Sequence, residues 1–554
     1  MKRVNRLVLR AGFVFAAAVV VVALAASGCS TRKKREIGES SIGGLTGSDI
    51  YGNPLPARSG SPVLCYSPAL MLPEMNTEQY SHIKGNSFKN VKNEPLSTFS
   101  IDVDRASYAN VRRFLNDGNM PPPDAVRIEE MINYFAYDYP QPAGDDPFSV
   151  SLELAECPWK SGHQLVLIAL QAQKIETENL PPNNLVFLLD VSGSMDSPDK
   201  LPLLQSAMNL LVDQLRPQDK VSIVVYAGAA GVVLEPTCDR GQILNAITGL
   251  EAGGSTAGGE GIQLAYKLAE KNFMKNGNNR VILATDGDFN VGITADGELI
   301  RLIEKERKKG IFLTVLGFGT GNLQDSKMEQ LADHGNGNYA YIDDILEAKK
   351  TLVTELGGTL VTLAKDVKIQ VEFNPALVKA YRLIGYENRI LANEDFANDQ
   401  KDAGEMGAGH TVTAMYELIP ADSDEKVPSA GGLKYQKIQI VGSDELLTVK
   451  LRYKDPDGDT SKLLEASVKP ADLQREQPSE NIQFASAVAM FGMLLRESEF
   501  SGDATFKSAA TMAKTAKGVD SSGERSEFIR LVEKAELLAH KAGPNRDSGG
   551  EDGE

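Results

Sequence analysis

At 554 residues the chain is too long for one domain, and its 42% hydrophobic and 24% charged content is that of ordinary globular domains with cores of their own. Fifty-eight basic against 75 acidic side chains give a formal charge of -17, which argues against sequence-independent binding to nucleic acid or anionic lipid. Four cysteines without a CxxC spacing offer neither a disulfide framework nor a zinc site.

The first residues carry a basic cluster, Lys2, Arg3, Arg6 and Arg10, and then an apolar core from Ala11 to Ala26. That core approaches the length of a membrane span, but it closes on Ala26, Ser27, Gly28 and Cys29, the small residues and cysteine that signal processing requires. This ending resembles the lipobox of bacterial lipoproteins. The resemblance implies a signal peptide over 1–28 and a lipidated, palmitate-bearing Cys29. With Ser30 next, it also implies a place in the cell envelope on the outer membrane, facing the periplasm. Cys65, Cys157 and Cys238 then remain, so at least one thiol stays free. Residues 29–95 are rich in Gly, Ser, Pro and Asn and read as a flexible tether.

Order returns at Leu96. An alternating strand (Phe99, Ile101, Val103) and two helices, the second after Pro121 to Pro123, make a small α+β module over 96–145. Asp102 and Asp104 form a D-x-D pair, for which the simpler account is Asp104 as N-cap of the first helix. Phe148 to Leu154 and His163 to Gln173 alternate as strands.

Leu185 to Ser194, LVFLLDVSGS, is a short apolar run after Pro181 and Pro182, as expected of a strand buried on both faces of a parallel sheet. Such a strand's carboxyl end is where an open α/β sheet places a ligand. There Asp190, Ser192 and Ser194 offer a carboxylate and two hydroxyls, hard donors that suit magnesium. Alone, the string equally fits a strand end followed by an N-cap serine. Two further segments change the balance. GGSTAGGEGI supplies Thr256 on a glycine-rich loop before an apolar helical run, and RVILATDGDFN ends a second buried strand at Asp286. Elements alternate over 182–357: helices at 201–215, 240–250, 261–274, 295–309, 325–333 and 345–356, and strands at 185, 220–227, 232–235, 280–285, 311–319 and 339–342. That alternation means a doubly wound, mostly parallel sheet.

The order Asp, Ser, Ser, Thr, Asp in these contexts resembles the von Willebrand factor type A (VWA) domain and its metal-ion-dependent adhesion site. Carried over, the site is Asp190, Ser192, Ser194, Thr256 and Asp286, holding Mg²⁺, with Mn²⁺ or Ca²⁺ as alternatives. The resemblance implies a partner protein whose Asp or Glu completes the metal's shell. Three of the five donors are neutral, so the ion keeps attraction for one more carboxylate. The segments on either side resemble the modules that flank the A domain in a family of bacterial VWA lipoproteins.

Beyond residue 364 the period changes to two. Strands in DVKIQVEFNP, LVKAYRLIGY, HTVTAMYELIP, YQKIQIV and LLTVKLRYK suggest an antiparallel β-sandwich, which the strands before the VWA domain are expected to join. The sandwich then comprises 146–181 and 364–470, with the VWA domain inserted in it. Asn398 to His410 reads as a long flexible connection, and DPDGD at Asp455 to Asp459 as a solvated hairpin turn, since its glycine is at the wrong place for a calcium loop. C-terminal helices fill 479–542, with Met and small residues as core. The acidic, glycine-rich 543–554 reads as disordered.

No enzyme signature emerges. The five histidines are scattered, SGSM is not a nucleophile elbow, GGSTAGGEG lacks the Lys and Ser/Thr of a P-loop, and no His, Cys or Lys accompanies the aspartates within their motifs. The expectation is a non-enzymatic, lipid-anchored module that binds a protein through a metal. A metal-dependent hydrolase and a structural envelope protein with a stabilising ion are the alternatives.

Overall fold

Alternate residues of one strand, Gln164–Ala172, face two different cores, which is why it is apolar along almost its whole length. The computed structural model describes residues 77–542 apart from 145, 177–179, 255–257, 288–295, 356–360, 402, 429–439 and 474–476. The leader, Cys29, Thr256, most of the strand expected at 435–441 and the acidic tail lie outside the described residues.

The described chain opens with β1 (Lys89–Asn90), β2 (Leu96–Ser100), α1 (Ala106–Asn116), α2 (Ile128–Asn133) and the hairpin of β3 (Phe148–Glu156) and β4 (Gln164–Ala172). Next come β5 (Asn183–Asp190), α3 (Leu201–Val212), β6 (Lys220–Tyr226), β7 (Ala230–Thr237), α4 (Arg240–Thr248) and α5 (Gly258–Lys271). They are followed by β8 (Asn278–Thr285), α6 (Asp296–Arg307), β9 (Ile311–Phe318), α7 (Asp325–His334), β10 (Tyr339–Ile342) and α8 (Ile345–Lys349). After these the chain forms β11 (Thr362–Phe373), β12 (Val378–Ile384), β13 (Gly404–Gly407), β14 (Thr411–Pro420), β15 (Leu447–Lys454) and β16 (Lys462–Val468). It closes with α9 (Glu480–Leu495), α10 (Phe506–Thr515) and α11 (Glu524–Ala542).

The middle sheet has the order β10-β9-β8-β5-β6-β7, parallel except for the edge strand β7. Leu185, Phe187 and Leu189 of β5 pack under α3 and α4, while Val186 and Leu188 pack under α5 and α6. This is the doubly wound α/β fold expected. Because β5 connects towards β6 on one side while β8 lies on its other side, the sheet reverses direction beside β5, and a switch point opens between the carboxyl ends of β5 and β8.

The strands before and after this domain share one sandwich. β4 pairs with β14 from Gln171↔Thr411 to Gln164↔Leu418, in a sheet ordered β1-β12-β14-β4-β3. The facing sheet is β13-β11-β15-β16, with β2 sharing an edge of the long strand β11. Val166, Ile168 and Leu170 fill the space between the sheets, and Leu165, Leu167 and Ala169 pack beneath the C-terminal helices.

Several expectations differ from this arrangement. Residues 96–145 form no module of their own. β2 extends the sandwich, and α1 is buried on two sides, with Ala106 and Ala109 in the parallel domain's core and Tyr108 and Val111 against the C-terminal helices. The tether does not reach residue 95, because β1 pairs with β12, and Thr77 and Gln79 donate backbone hydrogen bonds to Gly321 and Leu323. The connection 398–410 contains β13, and β16, within the expected sandwich but not among the strands read from the sequence, pairs with β15. Asp104 caps no helix. Its carboxylate is buried, accepts the Tyr339 N–H at 2.7 Å and faces Arg389 at 3.2 Å, so a long-range partner replaces the local one.

Two buried arginines, Arg112 and Arg127, and the half-buried Arg389 tie the parallel domain to its surroundings. Arg112 of α1 binds Asp343, Glu347 at 2.7 Å and Glu527 at 3.1 Å. Arg127 binds Asp325 at 2.6 Å, and Arg389 binds Glu329, Asp333 and Asp104. Removing one partner of such a cluster strands charge away from water. Arg112→Ala is expected to cost about 3–5 kcal/mol in urea denaturation, and a loss below about 1 kcal/mol would show that Arg112 is not a clamp.

A second buried cluster lies on β14. Glu417 accepts from His163 Nδ1 at 2.6 Å, Arg382 at 2.6 Å and Trp159 Nε1 at 3.2 Å, and His163 Nε2 faces Glu425 at 2.8 Å. Burial disfavours the charged ring, but the bonds to Glu417 and Glu425 outweigh it and raise the His163 pKa above 6.5. That stabilisation is fully present below the unfolded-state value and is lost as pH rises through the raised folded value. The stability gap between wild type and His163→Gln should therefore be widest below about pH 6.5 and narrow above it. A gap that stays constant across that range would show an uncharged ring.

Candidate metal site

Asp190 ends β5 and Asp286 directly follows β8, so the pairing of these two strands sets both carboxylates at the switch point. Both side chains are fully buried, Ser192 nearly so, and Ser194 is exposed at the rim. The chain turns after Asp190 in a short 3₁₀ turn, Gly193–Asp196. Ser192 occupies its N-cap position but makes no side-chain cap bond. Its hydroxyl lies instead 3.0 Å from the Ser194 hydroxyl, which removes the N-cap account of the motif.

Each carboxylate has its own set of donors. Asp190 accepts from the Ser192 N–H at 2.9 Å, Tyr226 Oη at 3.1 Å and Thr285 Oγ1 at 3.3 Å. Burial nevertheless pushes its pKa up to about 6, against the hydrogen bonds from Ser192 and Tyr226 and aided by the charge of Asp286. Asp286 is equally buried, but hydrogen bonds from Asn322 and Ser194 and the ammonium of Lys200 at 3.0 Å hold its carboxyl below the usual range. Asp190, Ser192, Ser194 and Asp286 are thus brought together, with Ser194 bonded to Asp286. Thr256 lies outside the described residues, but the loop leading to it is tied to the first motif. Gly193 N–H donates to Gly254 O at 3.1 Å, and Gly253 N–H to Val191 O at 2.8 Å.

Two glycines let these segments close up. A side chain on Gly261, early in α5, would meet Tyr226 Cβ at 2.9 Å. Gly287 follows Asp286 at φ +108°, where a Cβ would lie 2.5 Å from Asn322 O and 2.7 Å from Gln324 N.

The donor set fits a hard divalent cation. Among the described residues no group of three or more His, Cys, Asp or Glu converges as metal ligands, so such an ion would lean on hydroxyls. The 3.0 Å between Ser192 Oγ and Ser194 Oγ matches the edge of about 3.0 Å of an octahedron with ligands at about 2.1 Å.

Sequence reasoning missed four contributors. Tyr226 is the last residue of β6, Thr285 is the last residue of β8, and Asn322 lies in an unremarked loop. Lys200 precedes a helix ten residues after Asp190, outside any motif, and reads there as an ordinary surface lysine. Only the strand-end position of Thr285 carried a signal.

A parallel sheet with this switch point and an Asp-x-Ser-x-Ser turn defines a VWA domain. The family described as "von Willebrand factor type A domain" matches residues 185–288, "von Willebrand factor" matches 74–167, and "Uncharacterized protein YfbK, C-terminal" matches 358–538. "Uncharacterized protein YfbK" of Escherichia coli K12 is 45% identical over 472 residues, 83% of this chain and 81% of its own, and the chain belongs to its family. "Uncharacterized protein sll0103" of Synechocystis is 26% identical over 58% of this chain and 74% of its own. Among solved structures, "von Willebrand factor type A from Catenulispora acidiphila" aligns with 70% of this chain and 89% of its own, at 17% identity and a TM-score of 0.40.

The glycine geometry is directly testable. Gly287→Ala combines a left-handed backbone with a collision against the chain at 322–324, and is expected to cost at least about 2 kcal/mol of stability in urea denaturation. A neutral result would show that the loop after Asp286 sits elsewhere.

Proposed function

We propose that this protein is an envelope-anchored VWA module that binds a partner protein through a divalent cation. One observation carries the reading: two buried carboxylates and two hydroxyls converge at the free end of the parallel sheet, with Ser194 open to solvent. Asp190, Ser192, Ser194 and Asp286, together with Thr256 from the adjoining loop, would hold Mg²⁺, Mn²⁺ or Ca²⁺. Once bound, the cation supplies an open position for a partner's Asp or Glu.

Anchoring rests on the leader and Cys29. No helix among the described residues is long and apolar enough to cross a membrane. A hydrolytic role needs a base beside the metal, and among the described residues Lys200 is paired with Asp286 and Tyr226 donates to Asp190.

The test is capture from envelope extracts, with and without a chelator. Partner capture is expected to fall at least about tenfold on chelation and equally with Asp190→Ala or Thr256→Ala. If the variants keep the partner but lose stability, the ion is structural. Turnover of a phosphate or peptide substrate would instead favour the hydrolase.

A further inference from the structure

Lys200 is buried at the start of α3, although lysine ordinarily carries its ammonium to water. Its position is built. The Lys200 N–H donates to Ser197 O, and its carbonyl accepts from the Leu204 N–H at 2.8 Å in the first turn of α3. The side-chain stem lies across Gly319, where a Cβ would come within 2.2, 2.4 and 2.7 Å of its carbons, so only glycine leaves the path open. Tyr341 Oη holds the Gly319 carbonyl at 2.9 Å, and Glu78 accepts the Gly321 N–H at 2.9 Å, so the loop beneath the stem is fixed from behind. The ammonium ends 3.0 Å from Asp286 Oδ2 and 3.3 Å from Asn322 Oδ1.

We infer that Lys200 competes with the divalent cation for Asp286, so that loading the site releases the ammonium and the competition sets the cation affinity. This rests on the reading of the site as a cation site. The ammonium brings the charge of the two carboxylates from two negative to one, and it would repel an arriving dication across a few ångströms of protein. A cation that takes Asp286 must give that carboxylate more than Lys200 and Asn322 already give it. The site is thereby tuned to fill at high cation concentration and to empty readily. Asp190 has three uncharged donors and, among the described residues, no such rival.

The experiment is calorimetric titration of the full chain with Mn²⁺ and Mg²⁺, comparing wild type with Lys200→Met, which keeps the stem over Gly319, and Lys200→Gln, which keeps a donor without charge. Both variants are expected to bind Mn²⁺ on the order of tenfold more tightly than wild type. Amine-reactive labelling of wild type, read by mass spectrometry, is expected to show Lys200 protected without cation and several-fold more reactive at saturating Mg²⁺. This arm decides the matter if the variants do not fold. Equal affinities within about twofold, or unchanged labelling at saturation, would overturn the role of Lys200 while leaving the cation site standing. No uptake by wild type or either variant at millimolar cation would instead bring down the site itself.

Discussion

Two carboxylates end neighbouring strands at the point where the parallel sheet reverses direction, and both are shut away from water. Like charges at that separation cannot share a low-dielectric site without compensation. The fold answers the two aspartates differently. Asp190 receives a backbone N–H and two hydroxyls, and its pKa still rises to about 6. Asp286 receives Ser194, Asn322 and a full positive charge, and its pKa falls. The rest of the site follows from this asymmetry: one carboxylate is already satisfied by the protein, and the other is poorly compensated.

The surroundings hold that arrangement in place. The chain enters β5 at its amino end, so the eight residues of this strand carry Asp190 about 23 Å from the strand's start. Along its flank the domain is clamped by Arg112, Arg127 and Arg389 to acids of α7, of α8 and of the segment between β10 and α8. Residues 77–79 lie against the loop at 321–323, whose Asn322 touches the site. The segment that follows the expected lipid anchor is therefore in direct register with the loop that supports Asp286. What was read as tether is, at its end, part of the site's frame.

How much of this was legible depended on the range of the interactions. The apolar runs at 185–189 and 281–284 declared buried parallel strands because both faces are covered, and strand-end aspartates follow from that alone. The change to period two beyond residue 364 announced the sandwich, and β3 and β4 joined it because they alternate in the same way. Illegible were the features whose partners lie far along the chain. Asp104 resembles a cap until Tyr339 and Arg389 are brought to it, and β13 shows nothing strand-like until β11 lies beside it. Lys200 is one lysine among many until Gly319, more than a hundred residues away, makes room for its stem.

The same charge balance bears on what a cation would be for. A purely structural ion earns its place where the empty site carries uncompensated charge that the fold cannot otherwise bear. Here Asp286 is held ionised by Lys200, Asn322 and Ser194, whereas the three donors to Asp190 offset only part of the cost of its burial. On the proposed reading, a cation would relieve Asp190 but would have to displace the compensation that Asp286 already has. It would also add an exposed, electrophilic position beside Ser194. The groups that face it inside are already engaged with one another, so on that reading the open position would face outward, where an acidic side chain of a partner would complete the shell.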